Sequence, residues 1–218
     1  MTEAKTRIRI MSDAGVLSDP EWQGRRITDM IYNSLLWCQG QLLKLNKNYW
    51  ITEATASGIA GGTLQKVTGS KITEAELATD MNWEIPIISF SHADYTNIAR
   101  PVDLVNWVFI NSNIILKPSS TQPVFCQVGK DVYLYPALLT APTYLYTRLT
   151  TEPTYNNDST DIDVPDQYIE MVIDRVVMQI KQVQGNLQGK QMTMADIDSF
   201  IQKKYQLAPV DTNRKVTQ

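Results

Sequence analysis

The stretch VPDQYIEMVIDRVVMQIKQVQGN, Val164–Asn186, constrains the fold more than any other part of the chain. Its apolar residues recur at three- and four-residue steps, which is the period of an α-helix. At about 100° per residue, Tyr168, Ile169, Val172, Ile173, Val176, Val177, Ile180 and Val183 cover about half of the cylinder. Glu170, Asp174 and Lys181 lie opposite, flanked by Met171 and Met178. A surface helix needs an apolar stripe only a little over about 100° wide. Two readings account for the excess. Either the helix packs on its own bundle and sheet and lends the edge at Met171 and Met178 to a neighbouring subunit, or it is the buried centre of one domain. Pro165 suits its first turn, and Gly185 suits its end because glycine accepts a positive φ.

A second helix is expected before it. Ser18 and Glu21 have the spacing of a capping box, and Ile27, Met30, Ile31, Ser34, Leu35, Cys38, Leu42 and Leu45 repeat at helical steps. Gly24 makes a short turn ahead of the main helix an alternative to one continuous element. A last helix is expected from Thr193, which can cap, with Asp196 favouring the N-terminal dipole and Ile197, Phe200 and Ile201 facing inward. After Tyr205 the pattern loses its period, which predicts an extended tail.

Between these helices the signal is different. TASGIAGGTLQKVTGSK is rich in Gly, Ser and Thr and reads as an exposed loop. From Leu104 to Leu149 the period is two, with β-branched and aromatic residues. LVNWVFI, NIILK, PVFCQV, DVYLYP and TYLYTRL are the expected strands, and Gly129–Lys130 is the expected hairpin turn of an antiparallel meander. ITEA occurs at Ile51 and again at Ile72, and two short copies do not make a repeat architecture. The fold class is therefore α+β, a helical bundle with an inserted antiparallel β-rich domain. Its parts are residues 1–45 (N-terminal segment and first bundle helix), 46–150 (insertion), 151–205 (C-terminal bundle helices) and 206–218 (extended tail).

Composition narrows the function. A net charge of −3 speaks against stable, sequence-independent binding to nucleic acid, though not against transient contact with it. The first residues lack the apolar core of a signal peptide, and no apolar run approaches the roughly 18 residues of a membrane span. Cys38 and Cys126 stand apart with no motif around either, and read as buried thiols in a reducing compartment. A single histidine, His92, excludes a site that needs two imidazoles; a pocket joining His92 to a carboxylate or Cys38 is what an enzyme reading would require. Gly69-Ser70-Lys71 lacks the upstream glycine of a P-loop, and GIAGG does not match a dinucleotide fingerprint. Asp158, Asp161, Asp163 and Asp166 fit no calcium-loop register; Asp163 and Asp166 read instead as favouring the N-terminus of the following helix. Tyr133 with Tyr135, and Tyr144 with Tyr146, share strand faces, as structural packing requires and as a glycan-stacking surface would too. No cofactor and no metal are expected.

The order of elements carries a resemblance. Tyr135-Pro136 ends one strand and Tyr146-Thr147-Arg148 lies in the next. A polar acidic loop then leads into Val164-Pro165-Asp166-Gln167-Tyr168 and a long helix closed by a glycine. This resembles the head-to-tail connector adaptors of tailed bacteriophages, mainly over Leu17–Leu45 and Val124–Tyr205; the length is similar to that of ring proteins of podovirus-like phages, the crAss-like group among them. Residues 46–123 depart from the smaller adaptors as an enlarged insertion. The resemblance implies a virion protein assembled in the host cytoplasm, a dodecameric ring beneath the portal, contact with further tail or ring proteins, and double-stranded DNA passing through. It also implies that the tail, through Leu207, Val210, Arg214 and Lys215, reaches the portal. Another phage tail part or a β-rich interaction module, for example a glycan-binding one, is the alternative.

Overall fold

The structure is a computed structural model that describes residues 1–45, 49–113, 117–185 and 192–207. The chain is α+β and divides into two compact units. One is built from Met1–Tyr49 with the chain from Thr150 on, the other from Trp50–Leu149.

The first unit is helical. α1 (Glu3–Ala14) ends at Gly15, whose φ of 74° lets Val16 N–H return to Met11 O at 2.8 Å. This helix lies in a segment where sequence reading placed none, because its charged and small residues give a weak apolar stripe. A 3₁₀ turn at Pro20–Trp22 follows, and its N-cap is Asp19, which accepts Glu21 N–H, and not Ser18. α2 (Arg26–Lys44) then runs as a separate helix. A second 3₁₀ turn, Asp166–Tyr168, leads into α4 (Ile169–Val183), and Gly185 follows its end at φ 68°. α5 (Met194–Lys204) is capped by Thr193 and Asp196 in a reciprocal box.

α4 packs against α1, α2 and α5, and its buried residues span an arc of about 240° of the helix. Ile169, Met171, Val172, Ile173, Val176, Val177 and Ile180 are all buried, and so is Arg175. The guanidinium of Arg175 donates to Asp198 at 2.8 Å and to Ser34 at 3.1 Å and lies 4.9 Å from the Trp37 ring. The wide apolar surface of this helix is thus taken up inside its own unit, where three helices surround it. Ile197 and Ile201 of α5 face inward, whereas Phe200 is half exposed.

Among the described residues, the second unit contains two sheets and one α-helix. Its strands are β1 (Ile51–Thr55), β2 (Ala60–Leu64), β3 (Val67–Ile72), β4 (Ser89–Ser91), β5 (Arg100–Pro101), β6 (Val124–Val128), β7 (Asp131–Tyr135) and β8 (Thr143–Thr147). One sheet has the order β1-β8-β4, the other β2-β3-β7-β6-β5, and among the described strands only the β5–β6 pair is parallel. Phe90, Tyr144 and Tyr146 of the first sheet and Ile72, Phe125, Val132 and Leu134 of the second share one core. Phe90 meets Phe125 edge to face at 4.9 Å.

Three expectations change here. The glycine-rich stretch is the β2–β3 hairpin and not a loop. Its glycines permit close strand approach, since a Cβ on Gly69 would lie 2.3 Å from Leu134 O. LVNWVFI is a helix, α3 (Leu104–Ser112), because Asp103 caps it by accepting Asn106 N–H at 2.7 Å, and one buried Trp107 is enough to anchor it. The β6–β7 hairpin turns at Gly129–Lys130 as expected, but β8 leaves for the other sheet, so the strands are not a meander. NIILK falls largely outside the described residues.

Candidate interaction surface

His92 belongs to the second unit and has both ring nitrogens engaged. Nδ1 accepts Asp94 N–H at 3.0 Å, so the proton sits on Nε2, which donates to Thr140 Oγ1 at 2.6 Å. A ring held this way pins two loops together, and both of its nitrogens are engaged within the chain. Cys38, in the helical unit, has no exposed surface, and burial pushes its thiol up to about 12, so it stays protonated at neutral pH and is no nucleophile. Burial also raises the Cys126 thiol. Among the described residues no three of His, Cys, Asp and Glu are grouped to hold a metal ion.

The carboxylates of the acidic loop of the helical unit are engaged within that unit. Asp163 accepts Thr151 N–H at 2.7 Å and Asp158 accepts the Thr2 hydroxyl at 3.2 Å, while Asp161 pairs with the Met1 amine at 3.0 Å. Asp163 therefore braces the loop; Asp166 lies in the first turn, that of the 3₁₀ segment. Tyr144 is buried and its oxygen accepts Ala78 N–H at 2.7 Å, and Tyr146 donates to Asp80 at 2.8 Å. Both are core residues. Tyr133 and Tyr135 are half-buried on the opposite side of the larger sheet, against the cluster around Trp107.

The expected contact residues are placed as follows. Met171 is fully buried and Met178 half-buried, so they do not form one accessible edge; the former faces the packed interior of the unit. Leu207 is buried too, its N–H donating to Gln202 O at 2.8 Å, so it closes α5 and is not presented to a partner. Val210, Arg214 and Lys215 lie outside the described residues.

Among the described residues, α3 carries an exposed apolar face that the sequence reading missed. α3 holds to the sheet through Trp107, which is 1% exposed and donates its indole N–H to Leu64 O at 3.2 Å. At about 100° per residue, Leu104, Val108, Val105 and Phe109 span an arc of about 140° on the side away from Trp107. Their exposures are 38%, 42%, 80% and 56%. A helix normally turns polar residues to water, and a contiguous exposed apolar patch marks an interaction site. Two hollows of about 410 and 390 Å³ adjoin its N-terminal end, sharing Pro101, Val102 and Asp103 in their walls. The signal lay in the i, i+4 pairs Leu104/Val108 and Val105/Phe109 after a capping Asp103, hidden by β-branched content that also fits a strand.

No protein-family model and no curated protein matches the chain. Among the described residues, no helix is long and apolar enough to cross a membrane.

Proposed function

We propose that this chain is a structural, non-enzymatic subunit of a bacteriophage head–tail connector, a ring seated beneath the portal through which DNA passes. The observation that carries the reading is the division of the chain. The two ends together build one helical unit and release residues 50–149 as a β unit between them. That is the organisation the resemblance implies. The quoted motifs take matching forms: β7 ends at Tyr135, β8 carries Tyr146 and Thr147, and Asp166–Tyr168 turns into α4, which is followed by Gly185. The mild negative charge suits a lumen that DNA crosses without being held. Because the apolar surface of α4 is used internally, contacts with other subunits or rings fall to other surfaces, α3 first among them.

Mixing the purified protein with its portal and imaging the product by electron microscopy tests this. A ring stacked on the portal is the expected result; a protein that stays monomeric alone and with portal overturns it. The exposed face of α3 equally favours a second reading, an interaction module of another tail part. In its glycan-binding form that reading must rest on Tyr133, since Tyr144 is committed to the core.

A further inference from the structure

The hollow of about 410 Å³ beside α3 joins apolar walls to one positive charge that nothing in the β unit neutralises among the described residues. Arg100 on β5 is in register with Val124, and paired residues project from the same face of a sheet. Val124 packs with Trp107, so Arg100 rises on the face that α3 covers. Its backbone N–H donates to Pro123 O at 3.2 Å. Its guanidinium, among the described residues, has no hydrogen bond and no carboxylate oxygen within 4.0 Å. The carboxylate in the same walls is that of Asp103, and it is already engaged. It caps α3 and takes the backbone N–H of Asn106 at 2.7 Å and the side-chain amide of Asn106 at 2.8 Å.

The rest of the wall says what can sit against Arg100. Pro101, Val102 and Ile110 are apolar, and the side-chain amide of Gln122 makes no hydrogen bond among the described residues. A guanidinium fork with an amide donor beside it matches the two oxygens of a carboxylate. A phosphate brings up to two negative charges against one guanidinium, with Asp103 in the same wall opposing the excess. The apolar walls favour an anion with an apolar body. The volume lies in the range of about 300–1,000 Å³ that small-ligand sites occupy. Walls from β5, from the residue ahead of Pro123 and from the flank of α3 make it a recess, unlike the open apolar face of α3.

We infer that this hollow binds a small organic acid, one carboxylate on an apolar body, with Arg100 as counter-charge and Gln122 as a further donor. This holds independently of the connector reading. The probe is 3-phenylpropanoate, titrated against the full chain by saturation-transfer NMR and calorimetry. Saturable one-to-one binding in the millimolar range is expected for a ligand of this size. The neutral 3-phenylpropanamide should bind about tenfold more weakly, and phenyl phosphate no more tightly than the acid. Arg100→Gln should weaken binding of the acid about tenfold or more and leave the urea midpoint unchanged, because the side chain is exposed. Gln122→Ala is the second variant and should weaken it about threefold. Absence of saturable binding, equal binding of acid and amide, tighter binding of phenyl phosphate, or binding that Arg100→Gln does not affect overturns the inference. So does tighter binding of the capped peptide acetyl-Leu-Glu-Phe-amide, which would assign the carboxylate to a protein partner. A concentration-dependent dimer that Arg100→Gln converts to monomer overturns it too, since a second copy would then supply the carboxylate.

Discussion

Single residues decide more here by what they exclude than by what they react with. Gly69 shows this most directly, since its missing Cβ is what lets β3 lie against β7. Gly69→Ala places a methyl 2.3 Å from Leu134 O, and the backbone must shift to admit it. A loss of about 1–3 kcal/mol in urea unfolding is the expected outcome. Cys38 makes a prediction about pH. Its thiol keeps its proton in the fold up to about 12, whereas the ordinary value is 9.0. Below the ordinary value both states hold the proton and the group has no effect on stability. Between the two values the unfolded chain has released it and the folded chain has not, so stability falls as pH rises. Burial raises Tyr95, Tyr146 and Tyr205 as well, which adds to the same trend. The urea midpoint should therefore drop from pH of about 8 to about 10, and the gap between wild type and Cys38→Ala should narrow over that range.

Among the elements, α3 separates anchoring from display. Trp107→Ala removes a fully buried indole and its bond to Leu64 O, and should cost about 3–5 kcal/mol in chemical unfolding. Replacing Val105 and Phe109 together by Lys should leave the unfolding midpoint within about 0.5 kcal/mol of wild type, because both are exposed. The same pair should abolish whatever association the intact protein shows with portal or tail proteins in a pull-down. A folded double variant that still associates would show that α3 is not the contact. α4 behaves in the opposite way. Met171→Glu buries a carboxylate at a site with no exposed surface, so it should destabilise the helical unit instead of sparing it.

For the whole molecule, the β unit begins and ends on neighbouring strands. Ile51 on β1 lies opposite Thr147 on β8, so the ends of residues 50–149 are already held together within that unit. Residues 50–149 expressed alone should fold, giving a dispersed amide NMR spectrum and one cooperative thermal transition; a collapsed spectrum would refute this. Much of the architecture was legible in the sequence wherever a period and its punctuation agreed. α2, α4 and α5 have three-to-four spacing closed by Gly185 or opened by Thr193, and the β6–β7 hairpin has alternation broken by Gly129–Lys130. These are local signals, carried by residues a few positions apart, and local backbone physics settles them. What only tertiary structure decided were the cases where local signals are degenerate. Glycines between Gly58 and Gly69 suit a loop or two closely spaced strands, and only the approach of β7 selects the strands. Leu104–Ile110 suits a strand or a helix, and Asp103 with the anchoring of Trp107 selects the helix. The half-cylinder of α4 fits a subunit edge or a buried centre, and the choice depends on how many helices of its own chain reach it, which no pattern within the helix encodes.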